Sequence, residues 1–204
     1  MNLFASLSAK PWQVQGVIAD PSDGDGAFRP PAYLGLKVFL AVVTIIFSLL
    51  IVAYSERMDM GDWRPLREPW LLWPNTAVLI LSSIALYWAV VRARLGDRDG
   101  LRLGLLAGGA LAAVFLVGQL AAWRELIALG YFASSNPANA FFYLITGLHG
   151  LHLLGGLIAW GRTMTKLGRG DEIARLGASV ELCAIYWHFL LAVWLILFGL
   201  MLFT

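Results

Sequence analysis

The amino-acid sequence predicts an all-α integral membrane protein, a bundle of five transmembrane helices with a cytoplasmic N-terminus. Hydrophobic residues make up 59% of the 204 residues and charged residues only 14%, a composition far from that of a soluble globular domain. The apolar residues collect in five segments, each with the roughly 20 residues that a helix needs to cross a bilayer. The loops between these segments are too short to fold as soluble domains.

The chain divides into a tail and one transmembrane domain. Residues 1–31 contain prolines, glycines and aspartates, which favour an irregular tail. They lack the basic start, apolar core and cleavage site of a signal peptide, so we expect the first helix to insert uncleaved. Residues 32–204 form the predicted five-helix domain. Its spans are predicted at 32–54, 70–91, 101–123, 139–160 and 176–203.

The first two spans carry the marks of membrane-crossing helices. Lys37 is the one charge in span one, and it is close enough to the end of the helix for its ammonium to reach the headgroups. Span two begins with Trp70 and Trp73 and ends near Trp88, which is typical of aromatic belts at the two interfaces. Pro74 falls in the first turn, where a missing backbone donor costs least.

The last three spans carry five polar residues that we predict to form a structural cluster: Gln119, His149, His152, Glu181 and His188. His149 and His152 lie three residues apart, so their imidazoles share one helix face near mid-membrane. An unpaired polar group in hydrocarbon is costly, so this face should look into protein. We therefore expect Glu181 and His188 to meet the two histidines. Gln119 is expected to bond to a neighbouring helix.

The basic residues are distributed unevenly between the two sides of the predicted bundle. Eleven lie in the tail, near the start of span one and around the loops after spans two and four, whereas the other side has four. The positive-inside rule therefore places the N-terminus in the cytoplasm and the C-terminus outside.

Composition and cysteine content exclude several classes of function. The net charge of +2 and the lack of a basic cluster argue against a nucleic-acid partner. Cys183 is the single cysteine, so the chain has no intrachain disulfide and no thiolate metal cluster. We interpret Cys183 as a small core residue.

Two other functions remain open at this point. The three histidines could hold a haem or a metal ion, although a carboxylate-bridged di-metal site needs more acidic ligands than Glu181 alone. Alternatively, His149, His152 and Glu181 could line the path of a small membrane transporter. A shortage of other pore-lining polar residues argues against a path of this kind.

Two C-terminal motifs resemble subunit III of the haem-copper oxidases, the cytochrome c oxidase family. The segment 142–156, FYLITGLHGLHLLGG, resembles that family's T-G-x-H-G-x-H-x-x-x-G helix. The last span contains VELCAIYWHFLLAVW, which resembles its E-x-x-x-x-Y-W-H-F-x-x-x-V-W pattern. Weaker similarities are WPNTAVLILSS in span two and the pair Gln119 and Trp123. Five spans resemble the short form of this subunit.

The chain also departs from the family's pattern at three positions. Val43, Ala122 and Leu191 stand where the family usually has buried carboxylates. Lipid or proton roles that depend on those carboxylates therefore do not transfer. With these departures, membership in a divergent branch of the family remains an alternative, such as the subunit III-like proteins that accompany some nitric oxide reductases.

The resemblance implies a non-catalytic subunit of an aerobic respiratory oxidase in the bacterial inner membrane. Haem and copper are expected in partner subunits I and II, and no cofactor in this chain. It also implies phospholipid bound in a cleft between the first two and the last three helices, with a role in oxygen access. We predict lipid contacts at five residues near the ends of span two: Arg92, Arg94, Trp73, Trp70 and Trp88.

Overall fold

The computed structural model of the protein describes residues 31–65 and 69–202. This part of the chain is helical, without strands. Residues 1–30 of the predicted tail, and Phe203 at the end of predicted span five, lie outside the described residues. The five helices are α1 (Pro31–Met58), α2 (Leu72–Arg94), α3 (Arg98–Ala128), α4 (Pro137–Gly168) and α5 (Ile173–Leu202).

All five helices are long and apolar enough to cross a membrane. The shortest, α2, has 23 residues and the longest, α4, has 32, whereas about 20 suffice for the hydrocarbon core. The added turns contain polar residues that extend beyond the apolar segments. The predicted fold class, an all-α bundle of five transmembrane helices, is therefore confirmed.

Local sequence signals set several helix ends. The Asp97 carboxylate accepts a hydrogen bond from the Gly100 backbone amide at 2.9 Å, which caps the start of α3. Asn136 caps α4 in the same way, and Pro137 occupies the first turn, where its fixed φ suits a helix start. After α3, Gly130 adopts a φ of +84°, a conformation that glycine reaches without steric cost.

The closest helix pair is α2 and α3. A Cβ atom on Gly104 would lie 2.8 Å from the Ala89 Cβ and 3.0 Å from the Ala85 carbonyl oxygen. One turn further along, the Ser82 hydroxyl donates to the Gly108 carbonyl at 2.7 Å. Small residues on α3 thus allow the two backbones to approach closely, as is typical of helix pairs in membranes.

Helix α5 lies against α2 and forms the centre of the bundle. The Trp187 indole donates to the Ser82 hydroxyl at 3.1 Å, and the Trp194 indole donates to the Thr76 hydroxyl at 2.9 Å. Both indoles are almost fully buried. Each brings a large apolar ring and a satisfied polar atom into the core, so they hold α5 on α2 in one register.

Helix α1 lies at the edge of the bundle and contacts α4 and α5. Only 11% of the apolar membrane-crossing stretch of α1 is buried inside the structure, against 33% to 44% for the same stretches of the other helices. The contacts are largely aromatic: Phe39 packs against Tyr186, and Tyr54 packs edge-on against Phe141. Most of the α1 surface is therefore left for lipid or for another protein.

The two ends of the bundle differ in charge. At one end α1 and α3 begin and α2 and α4 end, and we call it the basic end because Arg94, Arg98 and Lys166 lie there. The Arg98 guanidinium donates to the Leu167 carbonyl at 2.6 Å and joins α3 to α4. At the opposite end, Arg57 donates to Asp62 at 2.6 Å, which holds the pKa of the Asp62 carboxyl below its ordinary value.

Candidate functional site

The five residues of the predicted polar cluster lie on three of the helices, α3, α4 and α5, and serve different interfaces. In the described part of the chain, no hydrogen bond joins any two of them. Instead, most bond to other residues of the bundle.

His149 lies in the core, where α3, α4 and α5 meet. It is fully buried, and its Nε2 donates to the Leu190 carbonyl oxygen at 3.2 Å. Phe115 packs edge-on against the imidazole, and the Trp194 ring centroid lies 5.0 Å from that of the imidazole. Because a carbonyl only accepts, Nε2 carries the proton. His149 therefore acts as a bridge between α4 and α5.

His152 lies three residues further along α4 and faces α1. Its Nδ1 donates to the Leu148 carbonyl of its own helix at 2.8 Å. The rings of Phe39 and Phe47 flank it, with centroids 6.3 Å and 5.5 Å from the imidazole centroid. His152 thus belongs to the interface that holds α1 on the bundle.

His188 lies on the outer surface between α2 and α5. Its Nδ1 is hydrogen-bonded to the Ser83 hydroxyl, and the Tyr87 ring centroid lies 6.3 Å from the imidazole centroid. The His188 side chain is nevertheless exposed. It is the one histidine of the three that faces outward.

Gln119 is buried in α3, only 3% exposed. Neither its amide nitrogen nor its amide oxygen has a hydrogen-bond partner among the described residues, and the same is true of the Nδ1 atom of His149. Phe115, one helical turn before Gln119, contacts the His149 ring. Gln119 therefore lies on the same face of α3 as the residue that packs against His149.

Glu181 lies at the basic end and connects three helices. Its carboxylate accepts a hydrogen bond from the Tyr33 hydroxyl of α1 at 3.0 Å, and it lies 3.5 Å from the Arg94 guanidinium of α2. The carboxylate therefore bonds to α1 and α2 rather than to the histidines of α4. Sequence reasoning missed Tyr33, because a tyrosine near a helix start is ordinary in a membrane protein.

The described residues contain no group of three histidine, cysteine or acidic side chains that could hold a metal ion. The positions of the histidines explain this finding. His149 faces the core, His152 faces α1 and His188 faces outward, so they cannot converge on one ion. Two axial ligands for a haem would also have to face each other across a gap, and these three do not.

Three of the predicted lipid contacts lie at the basic end, and two lie at the other. The Arg92 guanidinium stacks on the Trp88 ring at 4.9 Å and lies 3.3 Å from Asp97, while Arg94 approaches Glu181. At the opposite end, Trp70 and Trp73 are 76% and 54% exposed. The five residues therefore cannot contact one headgroup, although each end presents aromatic rings at the interface.

The predicted cleft between the first two and the last three helices does not extend along α2. Helix α2 packs closely on α3 and α5. The reason is steric, since Gly104 and Gly108 leave no side chain to separate α3 from α2.

A groove lies between α1, one of the first two helices, and the pair α4 and α5. Its cavity of about 530 Å³ is mainly apolar and opens toward the basic end, where Arg162 and Lys166 line it. Gly155, Gly156 and Ala159 form part of its wall. In the sequence, this groove corresponds to a stripe of small residues on α4 followed by two basic residues four positions apart. The sequence analysis did not interpret this pattern as a groove.

The three positions where family carboxylates are missing have apolar surroundings. Val43 is 1% exposed and Ala122 is fully buried, while Leu191 packs against the hydrophobic core from its edge. An ionised carboxylate at the first two positions would need a partner. At these positions the chain has apolar side chains that pack in or against the core, where the family usually has carboxylates.

The chain is similar to known proteins over most of its length. The family described as "Cytochrome c oxidase subunit III" matches residues 33–204. A relative from Thermostichus vulcanus named "Cytochrome c oxidase subunit 3" is 36% identical over 184 residues, covering 87% of this chain and 90% of the relative.

Two further relatives agree with this match. A "Probable cytochrome c oxidase subunit 3" from Mycobacterium bovis is 33% identical and covers 81% of this chain and 84% of the relative. A "Cytochrome c oxidase subunit 3" from Synechocystis is 32% identical and covers 94% of this chain and 87% of the relative. Nothing in these matches favours a nitric oxide reductase component or a transporter. The chain therefore belongs to the cytochrome c oxidase subunit III family of the haem-copper oxidases.

Proposed function

We propose that this chain is a non-catalytic subunit that docks beside the haem-bearing catalytic subunit of the oxidase and stabilises it during turnover. The observation that carries this proposal is the placement of the three histidines. His149 bonds to the α5 backbone, His152 bonds to its own helix against α1, and His188 bonds to α2. Their imidazoles are used to hold helices together, and the partner subunits I and II supply haem and copper.

The proposed orientation has the basic end in the cytoplasm. Arg94, Arg98, Arg162 and Lys166 all lie at the end where α1 begins. A cytoplasmic basic end satisfies the positive-inside rule, and it places the N-terminus in the cytoplasm of a bacterium, with the chain in the inner membrane.

We propose the groove between α1 and the α4–α5 pair as a phospholipid site. Its apolar wall suits an acyl chain, and the two basic side chains at its mouth suit a phosphate. Arg162 and Lys166 are one helical turn apart on α4, so both can face one headgroup. The same apolar space is compatible with a role in oxygen access. Lipid contacts at Arg92, Arg94, Trp70, Trp73 and Trp88 remain a further prediction.

Replacing Lys166 with serine is expected to lower the amount of anionic phospholipid that copurifies with the chain about fivefold, because one basic residue near a lipid phosphate contributes about 1 kcal/mol. Mass spectrometry of lipids extracted from the purified complex measures this ratio. Arg169→Ser is the matched control, since Arg169 lies three residues further along, just after the end of α4, but does not line the groove. Equal lipid loss in both variants would contradict the site.

A gentle detergent purification through a C-terminal tag tests the proposed function itself. We expect the chain to elute with two larger subunits and with haem absorption bands, and the eluate to consume oxygen. The expected partners follow from the family, because a non-catalytic subunit carries its redox centres in its neighbours. A colourless eluate of this chain alone, from cells that express their full respiratory set, would overturn the proposal.

A further inference from the structure

His188 lies at the middle height of the bundle and faces outward. It is fifteen residues from the start of α5 and fourteen from its end, so about 21 Å of helix lies on either side. Ser83, its hydrogen-bond partner, is likewise eleven residues from both ends of α2. The exposed imidazole is therefore at mid-membrane, where an unpaired polar atom costs most.

A second polar side chain lies beside it. Tyr87 is 61% exposed, and its hydroxyl has no hydrogen-bond partner in the described part of the chain. The surrounding exposed residues are apolar, including Ile84 at 58% and Ile185 at 39%. The α2–α5 surface thus presents two polar groups inside an otherwise aliphatic face.

The outer face of α1 is different. Its exposed side chains include Val42, Ile45 and Leu49, all suited to lipid tails. Thr44, a polar residue on this face, donates its hydroxyl to the Leu40 carbonyl of its own helix at 2.8 Å. Thr44 therefore needs no outside partner, whereas the exposed imidazole of His188 keeps one nitrogen free for a partner.

We infer that the α2–α5 face around His188 and Tyr87 is the surface that docks another subunit of the oxidase. This inference rests on the proposed function and specifies which side of the bundle is covered. The occupant is a transmembrane helix that carries a hydrogen-bonding group at mid-membrane depth, among small or aliphatic side chains.

The chemistry of the imidazole defines what this helix must offer. A neutral histidine has one donor and one acceptor nitrogen. Because Nδ1 is engaged with Ser83, the Nε2 atom is the group available to the partner. A backbone carbonyl, a hydroxyl or an amide side chain at that depth would satisfy it, and the same helix can reach the Tyr87 hydroxyl. A lipid tail offers none of these groups.

A photoreactive side chain at Ile84, tested in the intact membrane complex, identifies the occupant. Ile84 is largely exposed and contributes no hydrogen bond, so the chain should fold normally. We expect irradiation to cross-link this position to another oxidase subunit, while the same probe at Leu49 on α1 gives at least about fivefold less protein cross-link. A complex that elutes with haem but cross-links only from Leu49 would overturn this surface and leave the proposed function standing.

Substitution of the polar groups gives an independent measure. His188→Leu is expected to lower the ratio of copurified catalytic subunit to tagged chain about threefold, the factor that corresponds to an average hydrogen bond between membrane helices. Ser83→Ala is the control, because it removes only the bond within this chain. An unchanged ratio in His188→Leu, with haem still present, would count against the inference. An eluate without haem from the unsubstituted chain would instead overturn the proposed function and this inference together.

Discussion

Gly104→Val is expected to prevent α2 and α3 from packing and to reduce the yield of folded chain severely. The added Cβ would lie 2.8 Å from the Ala89 Cβ and 3.0 Å from the Ala89 Cα and from the Ala85 carbonyl oxygen. Two of these three neighbours are backbone atoms, so no rotation of a flexible side chain relieves the overlap. Overpacking of a core costs about 1 to 3 kcal/mol even when side chains can move, and here a whole helix must move.

The measurement is the thermal unfolding temperature and the folded yield of the purified chain in detergent. Gly161→Val is the matched control, because a Cβ at Gly161 meets nothing within 4 Å. Both changes place the same side chain inside a membrane helix, so helix propensity cancels in the comparison. Equal losses in the two variants would show that the α2–α3 approach is not the sensitive feature.

The second large effect is expected at His149. Replacing it with alanine removes a fully buried ring from between Phe115 and Trp194 and breaks the hydrogen bond to the Leu190 carbonyl. The cavity and the lost hydrogen bond together cost about 2 to 4 kcal/mol. We therefore expect His149→Ala to lower the amount of assembled complex at least tenfold, while oxygen consumption per haem in the remaining complex changes little.

Two measurements separate these effects: haem per tagged chain reports assembly, and oxygen consumption per haem reports chemistry. His149→Gln keeps a donor in the same region, so it should recover part of the assembled yield. Normal assembly combined with lost turnover would contradict a structural role and would place His149 in the reaction path.

The polar residues of the spans show how far sequence reasoning could reach. The membrane class and the five helices follow from composition and from the lengths of the apolar runs, because crossing a bilayer sets both. The i, i+3 spacing of His149 and His152 predicted one shared face. The two side chains nevertheless serve different interfaces, because residues three apart are about 60° away from exact alignment on a helix, and α5 and α1 contact opposite edges of that face.

The partners of Glu181 and His188 could not be predicted from one sequence. Pairing depends on which helices become neighbours, and the choice among five helices is made by packing rather than by local propensity. Glu181 meets Tyr33, which is 148 positions away along the chain. The lipid prediction at Arg92 and Arg94 assumed that basic residues after a span are free for headgroups, whereas Asp97 and Glu181 lie beside them.

Apolar length and short motifs are local properties of the sequence, and they are enough to identify a five-helix membrane protein similar to oxidase subunit III. The positions of the groove and of the exposed polar groups depend instead on how the helices pack. The glycines of α3 close the space beside α2, and the loosely packed α1 leaves a groove against α4 and α5. Both outcomes depend on contacts between residues far apart in the chain, which no local pattern encodes.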